Sequence, residues 1–78
     1  MEVKAAAVRY VLSKADPFTA IKIVRSFSLL DEEEHCIIMH DIKGKSLQQL
    51  AFDLCTSTET IKRRRRSGYL KIVDALNL

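Results

Sequence analysis

Apolar residues recur along this chain at intervals of three and four, the spacing of helices with one buried face, and no stretch alternates as a strand would. From Glu2 to about Lys14, Val3, Ala7, Tyr10 and Val11 fall on one face. Asp16 followed by Pro17 signals a second helix, because Asp accepts from free amides and Pro at the first position gives up no internal hydrogen bond. That helix is expected to reach about Phe27, with Phe18, Ile21, Val24 and Phe27 inward and Lys22 and Arg25 outward. After Ser28-Leu29-Leu30, Asp31 is expected to cap a third helix, Glu32 to about Asp41, with an acidic first turn at the positive end of the helix dipole. Cys36, Ile37 and Met39, with Ile42 beyond, form its apolar face, and Lys43-Gly44-Lys45 ends it.

Ser46 caps the next start, and Leu47, Leu50, Ala51 and Leu54 make a helical stripe while Gln48, Gln49 and Asp53 take the wet side. Thr56-Ser57 interrupts, and Ser57 or Thr58 caps a fifth helix carrying Ile61 and a basic run. Tyr69, Ile72, Val73 and Leu76 then restore an apolar stripe. Gly68 costs a continuous helix about 1 kcal/mol, which marks a place for the chain to bend. Tyr10, Phe18, Phe27 and Phe52, at helical spacing, are assigned to the core. The fold class expected is all-α, a small bundle of about five helices in one domain, with residues 1–27 supporting residues 28–76.

Composition agrees with a folded helical chain. Hydrophobic residues make up 47% of the 78 and charged residues 29%, with only two Gly and one Pro. No apolar run approaches the roughly 20 residues that span a bilayer, and Cys36 and Cys55 form no disulfide framework, so a cytoplasmic protein without membrane partners is expected. The net charge of +3 is unevenly placed. Residues 1–42 hold five basic and seven acidic side chains, whereas residues 43–71 hold eight basic and two acidic. A field that local favours a polyanion, and nucleic acid is the commonest in the cytoplasm.

A helix of about nine residues, a short turn and a second helix form the helix-turn-helix arrangement, whose second helix enters the major groove. Ser46 to Arg66 has this spacing. Ala51 is small where the helices must approach, and Ile61 pins the second helix to the first. Cys55 stands where Gly is commonest in the turn, Thr56 where an aliphatic residue often follows, and Arg64 where another apolar residue normally sits.

From Leu29 to Val73 the chain resembles region four of the sigma-70 type of transcription factors. The stretch LLDEEEHCIIMHDIKGKSLQQLAFDLCTSTETIKRRRRSGYLKIV has that family's order. A Leu precedes an acidic helix start; an aliphatic pair, a Ser-capped helix with Ala, a Ser/Thr cap and a basic helix with a Leu-Lys-rich end follow. It is most similar to small sigma-like regulators of phages and mobile elements of Gram-positive bacteria, whose arginine-rich recognition helix resembles IKRRRRSGYLKIV. Residues 1–27 lack the promoter-melting region of a complete sigma factor. The resemblance implies transcription regulation, with RNA polymerase as a partner beside double-stranded DNA.

Thr58, Glu59, Lys62 and Arg63 occupy the outward first turns of the fifth helix, where base edges are read; Arg63 suits guanine and Glu59 cytosine or, equally, the helix dipole. Ser46, Gln48, Ser57, Arg65 and Arg66 are assigned to phosphates, with capping as the plainer role of each serine. Four consecutive arginines repel one another in a free monomer and suit a phosphate backbone, although Arg64 and Arg65 must lay their stems on the Ile61 face. His35, Cys36, His40 and Cys55 lack zinc-ligand spacing, so neither a metal nor a cofactor is expected, and nothing argues for an enzyme. Two rival readings remain: an adaptor or homodimer docking through Asp31 to Glu34 and the N-terminal helices, and an arginine-rich RNA-binding module.

Overall fold

The computed structural model describes residues 3–76, and among them every regular element is helical. The elements are α1 (Val3–Lys14), α2 (Pro17–Arg25), α3 (Asp31–Ile37) with a π-helical turn (Ile38–Ile42), α4 (Leu47–Asp53) and α5 (Thr58–Ala75). Glu2, read as the start of the first helix, lies outside the described residues. No helix among these is long and apolar enough to cross a membrane.

Local chemistry explains the boundaries. Asp16 caps α2 with both oxygens, accepting from Thr19 N at 3.0 Å and from Thr19 Oγ1 at 2.6 Å, and these bonds hold its carboxyl below the usual range. α2 stops two residues short of the expected Phe27. Ser26 Oγ turns back to donate to the Ile23 carbonyl at 2.6 Å, and Ser28 leaves helical geometry at φ +54°. α3 begins one residue early: Leu30 is the cap position, Asp31 already lies in the first turn, and Glu33 Oε1 accepts from the Leu30 amide at 3.1 Å. Beyond Ile37 the helix widens, with Lys43 N donating to Ile38 O at 3.0 Å, and it terminates at Gly44, φ +78°.

Two apolar clusters share α3 and α5. The larger joins Ala5, Val8 and Leu12 of α1, Ala20 and Val24 of α2, Leu29, Ile37 and Ile38, and Tyr69, Ile72 and Val73 of α5. The smaller joins Cys36, Leu50, Ala51 and Ile61, with Met39, Leu47 and Leu54 at its edge. The face expected for the first helix is therefore corrected. Ala7, Tyr10 and Val11 point outward; the Val3 side chain lies outside the described residues. Because Ala and Val occupy both sides of α1, its periodicity carried two solutions. Three of the four aromatics assigned to the core are also solvent-facing: Tyr10 is 63% exposed, Phe18 68% and Phe52 78%, with only Phe27 half-buried. Leu76 likewise falls outside the stripe.

α5 runs through Gly68 without interruption. A Cβ there would lie 2.6 Å from Ile37 Cδ1 and 3.3 Å from Glu33 Cβ. The glycine serves close packing of α5 on α3, not a bend.

Candidate nucleic-acid interface

α4 begins where Ser46 Oγ accepts from the Gln49 amide at 3.0 Å. Its inward residues Leu50 and Ala51 meet Cys36 and Ile61, which fixes α4 against α3 and α5. At its far end Cys55 adopts φ +54°, while Cys55 N donates to Phe52 O at 3.2 Å and Thr56 N to Ala51 O at 2.9 Å. This pair of bonds satisfies carbonyls that a helix end leaves open. The cysteine thus takes the left-handed conformation for which glycine is the usual residue, at a cost of about 1–2 kcal/mol. Ser57 Oγ then accepts from Thr60 N at 3.2 Å and starts α5 after a four-residue connection, Leu54 to Ser57.

α5 divides the four arginines by their phase around its axis. Arg65 follows Ile61 by one turn and points inward, its side chain 9% exposed. Its Nη2 lies 2.6 Å from Asp41 Oδ1 and its Nε 3.1 Å from Asp41 Oδ2, a two-pronged pair. Tyr69 donates its hydroxyl to Asp41 Oδ2 at 2.9 Å, and burial, together with the carboxylate beside it, pushes that phenol well above its ordinary value. Arg65, expected at a phosphate, is instead placed inward by the structure, with its Nε and Nη2 bonded to Asp41 within the protein. Arg64 is half-buried, whereas Arg63 and Arg66 are exposed.

A second buried acid holds the same helix further along. Glu33, 4% exposed, accepts from Ser67 Oγ and from Lys71 Nζ at 2.9 Å. Burial raises its pKa, but the bonds from Ser67, Lys71 and the Leu30 amide outweigh that and hold the carboxyl below its usual range. Sequence reasoning missed both Glu33 and Asp41 as anchors of the basic helix. The available signal was the inward phase of Arg65, which requires an acid facing it.

The outward side of α5 carries Glu59, Lys62, Arg63 and Arg66, which line one shallow depression. Glu59 Oε1 lies 3.5 Å from Lys62 Nζ, and Arg63 Nη2 lies 3.4 Å from Thr60 Oγ1. An adjoining groove, between the π-helical turn and the starts of α4 and α5, is lined by His40, Ser46, Leu47, Gln48, Thr58 and Lys62. Lys62 borders both. Of the nine residues singled out for DNA, seven line these two depressions; Ser57 sits at the α5 cap, exposed, and Arg65 is buried.

Three neighbouring polar side chains, Lys45, Gln49 and Asp53, bond to one another. Lys45 Nζ lies 2.6 Å from Asp53 Oδ2 and Gln49 Nε2 donates to Asp53 Oδ1 at 2.8 Å, and these bonds lower the Asp53 pKa. Burial pushes the Cys36 thiol up, while Cys55 is exposed. No family model, curated protein or solved structure matches this chain.

Proposed function

We propose that this protein is a sequence-specific DNA-binding regulator of transcription, in which α4, its turn and α5 act as a helix-turn-helix. The observation that carries the reading is the sorting of one basic helix into two faces. Ile61 and Arg65 lock α5 to α3, the π-helical turn and α4, while Glu59, Lys62, Arg63 and Arg66 stand outward beside a groove supplied by α4. A solvated charge run needs no such inward anchor, and an arginine-rich RNA-binding helix needs no α4. Thr58, Glu59, Lys62 and Arg63 are assigned to base edges; Ser46, Gln48, Ser57 and Arg66 to phosphates. The left-handed residue at Cys55, where the helix-turn-helix pattern favours glycine, supports the same register. The likeness of residues 29–73 to sigma region four gives the regulatory setting.

Selection of bound sequences from random duplex DNA tests the reading. An enriched motif is expected, and its symmetry reports whether one copy or two bind. Recovery of unenriched DNA contradicts sequence-specific recognition.

A second reading, docking on RNA polymerase or another protein, is favoured by one feature on another face. An open groove there is floored by Ile38, Met39 and Leu54, with Glu32 and Glu34 among its acidic side chains and Arg64 among its basic ones. The two readings are compatible, because they use different surfaces.

A further inference from the structure

His40 belongs to the groove of Ser46, Gln48, Thr58 and Lys62, yet its residue type and place in the sequence gave it no role. Its Nδ1 lies 2.7 Å from the carbonyl oxygen of Lys45. A carbonyl oxygen only accepts, so Nδ1 carries the hydrogen, and in the neutral ring Nε2 is an acceptor. Nε2 has no hydrogen-bond partner among the described residues. The ring is half-buried, and no side-chain nitrogen sealed from solvent there lacks a partner, so Nε2 has access to solvent. The other polar side chains of the groove all offer donors: two hydroxyls, an amide and an ammonium. No carboxylate lines it.

We propose that the side of this groove formed by His40, Ser46 and Gln48 seats a phosphate of the DNA backbone, with Thr58 and Lys62 left to face base edges, and that His40 grips the phosphate as the imidazolium, through Nε2–H, so that DNA binding takes up a proton. The proposal rests on the DNA-binding reading above. Only the protonated ring offers a donor at Nε2, because Nδ1 is already committed; the neutral ring turns a lone pair toward the anion. The charged groups around it are accounted for. On its own turn Asp41 is held by Arg65 and Tyr69, with Lys43 exposed beyond it. On the α4 side Lys45 is tied to Asp53, and α5 presents Lys62, itself near Glu59. Of the other helices packed on the π-helical turn, α1 and α2 carry Arg9, Lys14, Lys22 and Arg25. The third, α3, carries His35 and four acids, of which Glu33 is held by Ser67 and Lys71 and Glu34 lies near Arg25, leaving Asp31 and Glu32 exposed. The carboxylate between α1 and α2, Asp16, is held by Thr19. A phosphate entering the groove adds the negative charge that favours the imidazolium.

Proton uptake fixes the sign. Because the bound state holds one proton more, the added affinity is greatest at the acidic end and is lost as the pH rises through the midpoint of the DNA-bound ring. The test titrates a short random-sequence duplex against the full chain at constant salt from pH 5.5 to 8. Wild-type protein, His40→Asn and His40→Gln are compared, with thermal melting as a check on folding. Asn keeps a donor near the Nδ1 position and so keeps the Lys45 brace, but it does not reach the groove. His40→Asn is expected to bind about five- to tenfold more weakly at the acidic end and to lose the histidine-dependent part of the pH slope. His40→Gln, an uncharged donor of longer reach, is expected to bind independently of pH across this interval. The ring resonances of His40, followed with and without DNA, give a readout free of mutation: the midpoint is expected to rise on binding. An unmoved midpoint, or His40→Asn keeping the wild-type pH slope while the duplex still binds, overturns the proposal alone. Failure of the wild-type protein to bind the duplex at any pH overturns both this proposal and the DNA-binding reading.

Discussion

Arg65 and Asp41, 24 positions apart, meet through two hydrogen bonds of 2.6 and 3.1 Å with side chains only 9% and 11% exposed. This pair sets the rotation of α5 about its own axis. With Arg65 turned inward, Arg63 and Arg66 stand outward, so a buried contact decides which cations are offered to solvent.

Breaking the pair from one side is expected to be severe. Asp41→Ala leaves the guanidinium uncompensated and the Tyr69 hydroxyl without its acceptor, at a cost of about 3–5 kcal/mol, read as a fall in melting temperature. The double replacement Asp41→Leu with Arg65→Met is expected to recover most of that loss. A cost under about 1 kcal/mol for Asp41→Ala would place the pair in solvent and remove it as the anchor of α5.

Gly68→Ala sets two effects of opposite sign against each other. Alanine gains about 1 kcal/mol of helix propensity, but its Cβ meets Ile37, which is fully buried and cannot swing into solvent. Overpacking of this kind costs about 1–3 kcal/mol. A net loss of stability is expected by chemical denaturation, and a larger one for Gly68→Val; a raised midpoint for Gly68→Ala would show that α3 and α5 pack less closely.

The two helices nearest the candidate site were the most legible in the sequence, for a physical reason. Ser46 and Ser57 are caps whose hydroxyls satisfy specific amides, and Leu50, Ala51 and Ile61 have no polar rival for the inward positions. α1 was not legible in the same way, since apolar residues lie all around it and Ala5, Val8 and Leu12 bury instead of Ala7, Tyr10 and Val11. Phe18 and Phe52 show that aromatic character does not decide direction. Periodicity also does not report partners distant in sequence, so Asp41 and Glu33 read as ordinary helix acids and Arg65 as one more phosphate ligand. His40 acquires its place only when the π-helical turn and the starts of α4 and α5 come together.

Acid should weaken the fold partly through Glu33. Its folded-state pKa is held below the ordinary 4.5. The stability it contributes is therefore present above that ordinary value and is lost as the pH falls through the lower folded-state value. Glu33→Gln is expected to lose about 1–3 kcal/mol at neutral pH and to show a shallower decline below the ordinary carboxylate range. Parallel acid limbs for wild type and variant would show that Glu33 takes no part.

Arg63 and Arg66 should fail differently on DNA. Arg63 shares the outward first turns with Thr58, Glu59 and Lys62, whereas Arg66 lies nearly a turn further on, where the backbone is the nearer target. Arg63→Ala is expected to cost about 1–3 kcal/mol on the selected site and relax the choice at one base pair, and Arg66→Ala to weaken selected and random DNA alike. Equal losses on both DNAs for both variants would make the arginines a grip only.

The most direct test of the outward face of α5 as a DNA-binding surface is the affinity for duplex DNA measured across salt concentrations, for wild type and for Lys62→Gln/Arg63→Gln/Arg66→Gln. A logarithmic slope equivalent to about three to five phosphates, at roughly 0.9 each, is expected for wild type. It should fall by at least about one unit, the share of the Arg66 phosphate contact, in the triple variant, whose fold, anchored by Arg65 and Glu33, should melt as before. A flat salt response, or an unchanged slope in the triple variant, would contradict the account.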